Sequence, residues 1–240
     1  MIGDFLAVSQ RIPLAHGERR IDIRALRTAM GALPRPRPKW LPLFFKAYAI
    51  VAANRPVLRR LFVQRPWPHL YEHPENVGSV VISRRLEGDA ALLYFPIVSP
   101  ENLPLREIYR LLKEAGEKPI SEIPALRRQV RLGRLPGFCR RTLLQLAIDW
   151  TTKQRARQLG TFGMSVLADM GVANLTTLVP WTTMIHYAPF DDAGSMLLRI
   201  ALDHRVLDGV EVAYALREME EVLNGQILQE VLQTGGGNAA

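Results

Sequence analysis

Two hydrophobic periods alternate along the chain, one of three to four residues and one of two, and together they predict a protein that mixes helices and strands. A β-like run from Arg19 to Ile23 passes into a helical pattern that places Ile23, Leu26, Met30 and Leu33 on one face. Prolines at 34, 36 and 38 then impose an extended connection. The next stretch, LPLFFKAYAIVAANRP, is apolar nearly all round. That is the pattern of a helix buried between layers, and Pro56 closes it. From Arg65 to Pro74 the sequence RPWPHLYEHP holds too many prolines for a regular element and predicts an ordered loop with aromatic anchors. Ser79 to Arg84 and Ala91 to Val98 are β-rich runs around a turn at 87–89, which predicts a hairpin. Pro104 opens a helix with Leu105, Ile108, Leu111 and Leu112 on one face, ending near Gly116, and a second follows from about Ile123 to Leu132.

After a turn at LPG, residues 138–158 predict one amphipathic basic helix, with Leu143, Leu144, Ala147 and Ile148 on its apolar side. Three β-like runs follow at 161–167, 182–188 and 195–203, and a last helix spans about Val210 to Leu223. The terminal TGGGNAA has too few apolar groups to order itself. Residues 1–225 therefore read as a single domain, helices packed on a mixed sheet, with 226–240 as a partly disordered tail.

A composition 48% apolar and 22% charged excludes intrinsic disorder as the main state. The longest apolar stretch, Leu41 to Val57, is broken by Lys46, Asn54, Arg55 and Pro56, so no membrane-spanning segment is expected. The amino terminus lacks the basic start and apolar run of a signal peptide, and the cytoplasm is the expected location. A lone Cys139 can form no internal disulfide and makes a poor metal site. No cluster of His and carboxylates stands at ligand spacing, so no metal is expected. The net charge of +8 is concentrated: residues 127–157 hold nine cations against one carboxylate, Asp149, an excess equal to that of the whole chain. Nucleic-acid binding through this segment would show as heparin retention with a steep salt slope. Its other readings are a solvated helix face and a phosphate- or partner-docking element, since clustered arginine suits phosphate oxygens.

Candidate chemistry concentrates in SMLLRIALDHRVLDGVEVAYALREMEEVL. A buried strand, Met196 to Leu202, runs into Asp203, His204 and Arg205, and a helix begins at Gly209 or Val210. His204 thus stands in a turn between rigid elements, where an imidazole can be fixed as a general base. Asp208, four residues on, is a second candidate, and is equally suited to cap the helix. His186 reads as a core histidine bonded to a backbone carbonyl, His69 and His73 as loop packing, and Cys139 as structural.

The motif DHRVLDG before an amphipathic helix resembles the signature of the dihydrolipoamide acyltransferase catalytic domain of 2-oxo acid dehydrogenase complexes, whose fold is shared with chloramphenicol acetyltransferase. LPLFFKAYAIVAANRPVL resembles that family's core helix, IDIRALRTAM the entry to the preceding helix, NVGSVVISRR and FPIVSPENLPLREIYRLL its strand, turn and helix around the substrate channel, and GTFGMSVLADMGV its serine strand. Together these cover about residues 19–225. The resemblance implies a chloramphenicol acetyltransferase-like two-layer α/β sandwich, a mixed sheet with packed helices. It implies an acyltransferase that moves an acyl group between coenzyme A and a dihydrolipoyl-type thiol in a ternary complex. His204 falls on the family's base, Ser165 on the hydroxyl that binds the oxyanion, and Asp208 on the residue that holds the loop. Arg140, Arg141, Lys153 and Arg155 are the candidates for the phosphates of coenzyme A. In the family the histidine and the hydroxyl come from neighbouring subunits, so the resemblance implies a homotrimer or an assembly of trimers. This chain carries neither a lipoyl domain nor a subunit-binding domain, which points to a lipoyl-bearing partner protein. A catalytically inactive scaffold is the alternative: Val166 stands where the family has Asn, and the amino-terminal arm is short, leaving only Arg19 or Arg20 to pair with Asp208.

Overall fold

The computed structural model describes residues 12–34, 37–86, 88–149, 152–165, 181–191 and 194–236. The chain opens with strand β1 (Leu14–Asp22), helix α1 (Arg24–Ala32) and helix α2 (Trp40–Asn54). Strands β2 (Arg60–Val63), β3 (His69–Glu72), β4 (Val77–Leu86) and β5 (Asp89–Val98) follow. Helices α3 (Leu105–Glu117), α4 (Pro124–Gly133), α5 (Gly137–Asp149) and α6 (Thr152–Leu159) lead to β6 (Phe162–Met164), β7 (Thr183–Tyr187) and β8 (Ser195–Asp203). Helices α7 (Gly209–Val222) and α8 (Leu228–Gly236) complete it. Six strands form one sheet in the order β1-β8-β7-β6-β4-β5; β6 runs parallel to β4 and β7, and the remaining pairs are antiparallel. The expected mixed α/β sheet and the 77–98 hairpin are present.

Alternation along the strands divides the sheet's two faces. Met196, Leu198, Ile200 and Leu202 of β8 join Ile185 and Tyr187 of β7 in the main core, where α2 lies. Phe44, Phe45 and Tyr48 of that helix are fully buried, and the Tyr48 hydroxyl donates to Thr183 Oγ1 at 2.7 Å. The helix comes this close because β4 carries Gly78, where a Cβ would land on the rings of Phe45 and Phe162. A nearly all-apolar helix buries its one cation, Lys46, and the ammonium lies 2.5 Å from Glu230 Oε2 on α8. The other oxygen of Glu230 accepts the Leu105 N–H at 2.7 Å and so caps α3. The opposite face of the sheet carries a second cluster, Tyr94, Leu144, Trp181, Met184 and Ala201.

Three expectations change. The carboxy-terminal helix does not stop at Leu223: a π turn at Leu223–Ile227 leads into α8, and Ile227 and Val231 are core residues, so the fold runs past the expected boundary at 225. Residues 237–240 of the expected tail lie outside the described residues. The described parts of the basic helix expected at 138–158 are α5 and α6, and within α6 Arg155 and Ala156 are buried where a solvated basic face was one reading. The proline-rich loop at 65–74 contains β3, which pairs with β2; its prolines flank the strand and take no ladder donor away, while Trp67 is 68% exposed and anchors nothing. Among the described residues no helix is long and apolar enough to cross a membrane.

Candidate active site

Strand β8 ends at Asp203, and the next five residues form a turn fixed from several directions. The His204 N–H donates to Pro13 O at 2.9 Å, just ahead of β1, and Asp203 O accepts from the amides of Val206 and Leu207. The His204 ring is exposed, and its Nδ1 lies 3.0 Å from Leu207 O. A carbonyl can only accept, so in the neutral ring Nδ1 carries the hydrogen and Nε2 keeps its lone pair. The turn therefore presents an accessible nitrogen base in a fixed tautomer. Asp208 caps α7, its Oδ1 accepting from the amides of Val210 and Glu211, each at 3.0 Å. Both of these partners belong to the helix, the capping role that its sequence position equally allowed. Neither Arg19 nor Arg20 pairs with it: Arg19 binds Glu220 and Arg20 binds Asp191.

The residues flanking His204 pair with each other. Asp203 is buried and held in a fork by Arg205, whose Nε and Nη2 lie 2.9 and 2.7 Å from the two carboxylate oxygens. The Arg205 guanidinium stands 4.3 Å from the centre of the Phe62 ring. Arg155 is buried nearby; burial pulls its pKa down to about 10, against the attraction of Asp203, and Nη1 donates to Phe62 O and Ile148 O. Sequence reasoning passed over Asp203 and Arg205. The available signal was an acid and an arginine two residues apart, close enough to pair across the turn.

Ser165 lies elsewhere on the same sheet, level with the middle of β8. It follows β6, its N–H donates to Ile185 O at 3.3 Å, and its carbonyl accepts from His186 Nδ1 at 2.7 Å. His186 is thus the carbonyl-bonded core histidine that its sequence context suggested. Burial lowers its pKa to about 4. In the register Met164–Ile185–Ile200, Ser165 is level with Arg199 on β8, and His204 lies five residues further along that strand. That is a separation of roughly 16 Å along the strand axis. One copy brings His204 and Asp208 into a single turn and leaves Ser165 apart from both. Val166 and the rest of the expected strand to 167 lie outside the described residues.

The four expected phosphate ligands also separate. Arg155 is committed inside the protein, and Arg140 Nη1 donates to Gly133 O at 3.0 Å, at the carboxy-terminal end of α4. Arg141 and Lys153 are exposed. Away from the turn, His73 is buried with Nδ1 3.1 Å from the Tyr71 hydroxyl, and His69 Nδ1 lies 2.8 Å from Trp67 O, the loop packing their context suggested.

No family model and no curated protein matches the sequence. Solved structures do match the fold. A probable dihydrolipoamide acetyltransferase from Listeria monocytogenes is 18% identical with a TM-score of 0.66, over 100% of this chain and 93% of that one. The dihydrolipoamide acetyltransferase of Azotobacter vinelandii is 17% identical with a TM-score of 0.64, over 95% and 88% of the two chains. In that enzyme's catalytic mechanism the roles of a serine, a histidine and, four positions after the histidine, an asparagine have been investigated. A chloramphenicol acetyltransferase is 13% identical with a TM-score of 0.53, over 92% and 94%. Cores of 2-oxoacid dehydrogenase multienzyme complexes are also among the matches. The fold of this chain is that of the dihydrolipoamide acetyltransferase catalytic core, shared with chloramphenicol acetyltransferase.

Proposed function

We propose that the protein is a coenzyme A-dependent acyltransferase whose active site is completed between two copies of the chain. The observation that carries the reading is the His204 turn, an exposed Nε2 lone pair at a fixed tautomer. In the reaction, Nε2 takes the proton of an acceptor thiol, and the thiolate attacks the carbonyl carbon of the acyl thioester. The oxyanion of the tetrahedral intermediate receives a hydrogen bond from the Ser165 hydroxyl of a neighbouring copy. Collapse breaks the carbon–sulfur bond to coenzyme A, whose departing thiolate recovers the proton from Nε2. The spacing His204 to Asp208 equals that of the histidine and asparagine of the Azotobacter enzyme, which supports the assignment.

The roughly 16 Å between Ser165 and His204 along the sheet makes a single copy insufficient and favours a trimer. The exposed Arg141 and Lys153 are the candidates for the phosphates of coenzyme A, and a lipoyl-bearing partner protein supplies the acceptor thiol. The test mixes two variants. His204→Ala and Ser165→Ala each lose about 10²–10³-fold or more in release of coenzyme A from acetyl-CoA with dihydrolipoamide. Refolded together they regain activity at about one quarter of the interfaces, where both side chains are intact. Undiminished turnover in His204→Ala removes His204 as the base and the reading with it, and no turnover in the unaltered protein leaves the inactive scaffold. Inactivity of the mixed oligomer removes the shared site.

A further inference from the structure

Behind the second face of the sheet, helices α4, α5 and α6 do not close on one another, and against β5 they leave a cavity of about 550 Å³. Small-molecule sites run from about 300 to 1,000 Å³. The inner wall is apolar: Tyr94 and Leu144 are buried there, and Leu132, Ala147 and Leu159 continue the lining. It is also rigid, because the Gln129 amide accepts from the Tyr94 N–H at 2.9 Å and donates to its carbonyl at 2.6 Å, tying α4 to the strand. The polar part of the lining carries Arg128, Arg155 and Arg157, and no carboxylate stands among the described residues around it. Arg128 and Arg157 are exposed, whereas Arg155 is drawn into the protein.

An apolar wall excludes a wholly polar ligand, and the exposed guanidiniums of Arg128 and Arg157, with no carboxylate in the described lining, exclude a cationic one. We propose that this cavity binds a fatty carboxylate, its chain along Tyr94, Leu144 and Ala147 and its head on Arg128 and Arg157. The proposal goes beyond the transferase reading and stands on shape and charge alone. Its test is a binding measurement that needs no turnover, so either can fail without the other.

Isothermal titration of the full chain with dodecanoate gives a dissociation constant in the micromolar range, and dodecyltrimethylammonium gives no heat of binding. Ala147→Trp fills the chain channel and weakens dodecanoate by about tenfold or more, and Arg128→Glu, on the surface, weakens it by about fivefold with an unchanged melting temperature. The surface variant keeps the test decisive if Ala147→Trp fails to fold. Absence of dodecanoate binding overturns the proposal. So does equal binding of the cationic amphiphile, or an Arg128→Glu protein that binds like the original.

Discussion

The two faces of the sheet are built to different standards. On one, α2 lies so close that Gly78 is required beneath Phe45 and Phe162, and the Lys46–Glu230 pair joins α2 to the carboxy-terminal helix. On the other, α5 sets down Leu144 and Ile148 but leaves Phe138, Leu143 and Leu146 exposed, and a cavity opens beside them. The first face fixes the strands whose ends carry the candidate chemistry. The second leaves room for something else to fit. Close packing and an open binding volume cannot occupy the same wall, and this fold assigns them to opposite sides of one sheet.

That contrast is measurable. Phe45→Ala empties the closed face and is expected to lower the unfolding free energy by about 4 kcal/mol in a urea melt, within the range for a buried phenylalanine. A loss under about 1 kcal/mol would show that the first face repacks freely and erase the distinction. An acid titration probes the second face through His186. Burial holds its ring neutral down to about 4, whereas the unfolded chain begins to bind that proton near 6.5. The stability this contributes is complete above pH 6.5 and is lost as the pH falls toward 4, by about 3 kcal/mol in all. His186→Gln is expected to flatten that part of the profile; a profile of the same slope in the variant would place the proton elsewhere. Leu144→Ala, beside the existing cavity, is expected to cost about 2 kcal/mol, at the low end for a buried leucine because its surroundings are already part open. An equal loss for Leu144→Ala and Phe45→Ala would mean that the two faces are packed alike.

Much of this was legible in residue order. The period of α2, the hairpin of β4 and β5, the proline that opens α3 and the turn DHRVLDG each follow from neighbours a few positions apart. What was not legible depends on distant partners. Asn224 and Gly225 look like a helix end, yet the helix continues because Ile227 and Val231 meet the core and Glu230 meets Lys46, far away in the sequence. Strands β2 and β3 are four residues each, too short to show a period, and only their pairing makes them strands. Arg155 reads as one cation among nine until Phe62 O and Ile148 O draw it inside. The candidate site divides in the same way: His204 and Asp208 are local, while the level of Ser165 along the sheet is fixed by register alone.

The bond from His204 N–H to Pro13 O has a consequence for how the molecule matures. It extends the ladder of β1 and β8, which joins Leu14 to Asp203 and so closes a loop of nearly the whole chain. Pairings of such long separation come late in folding. The backbone of the histidine is thus anchored only once the first strand has met the eighth, and a fragment that lacked the first strand would carry the histidine without that anchor.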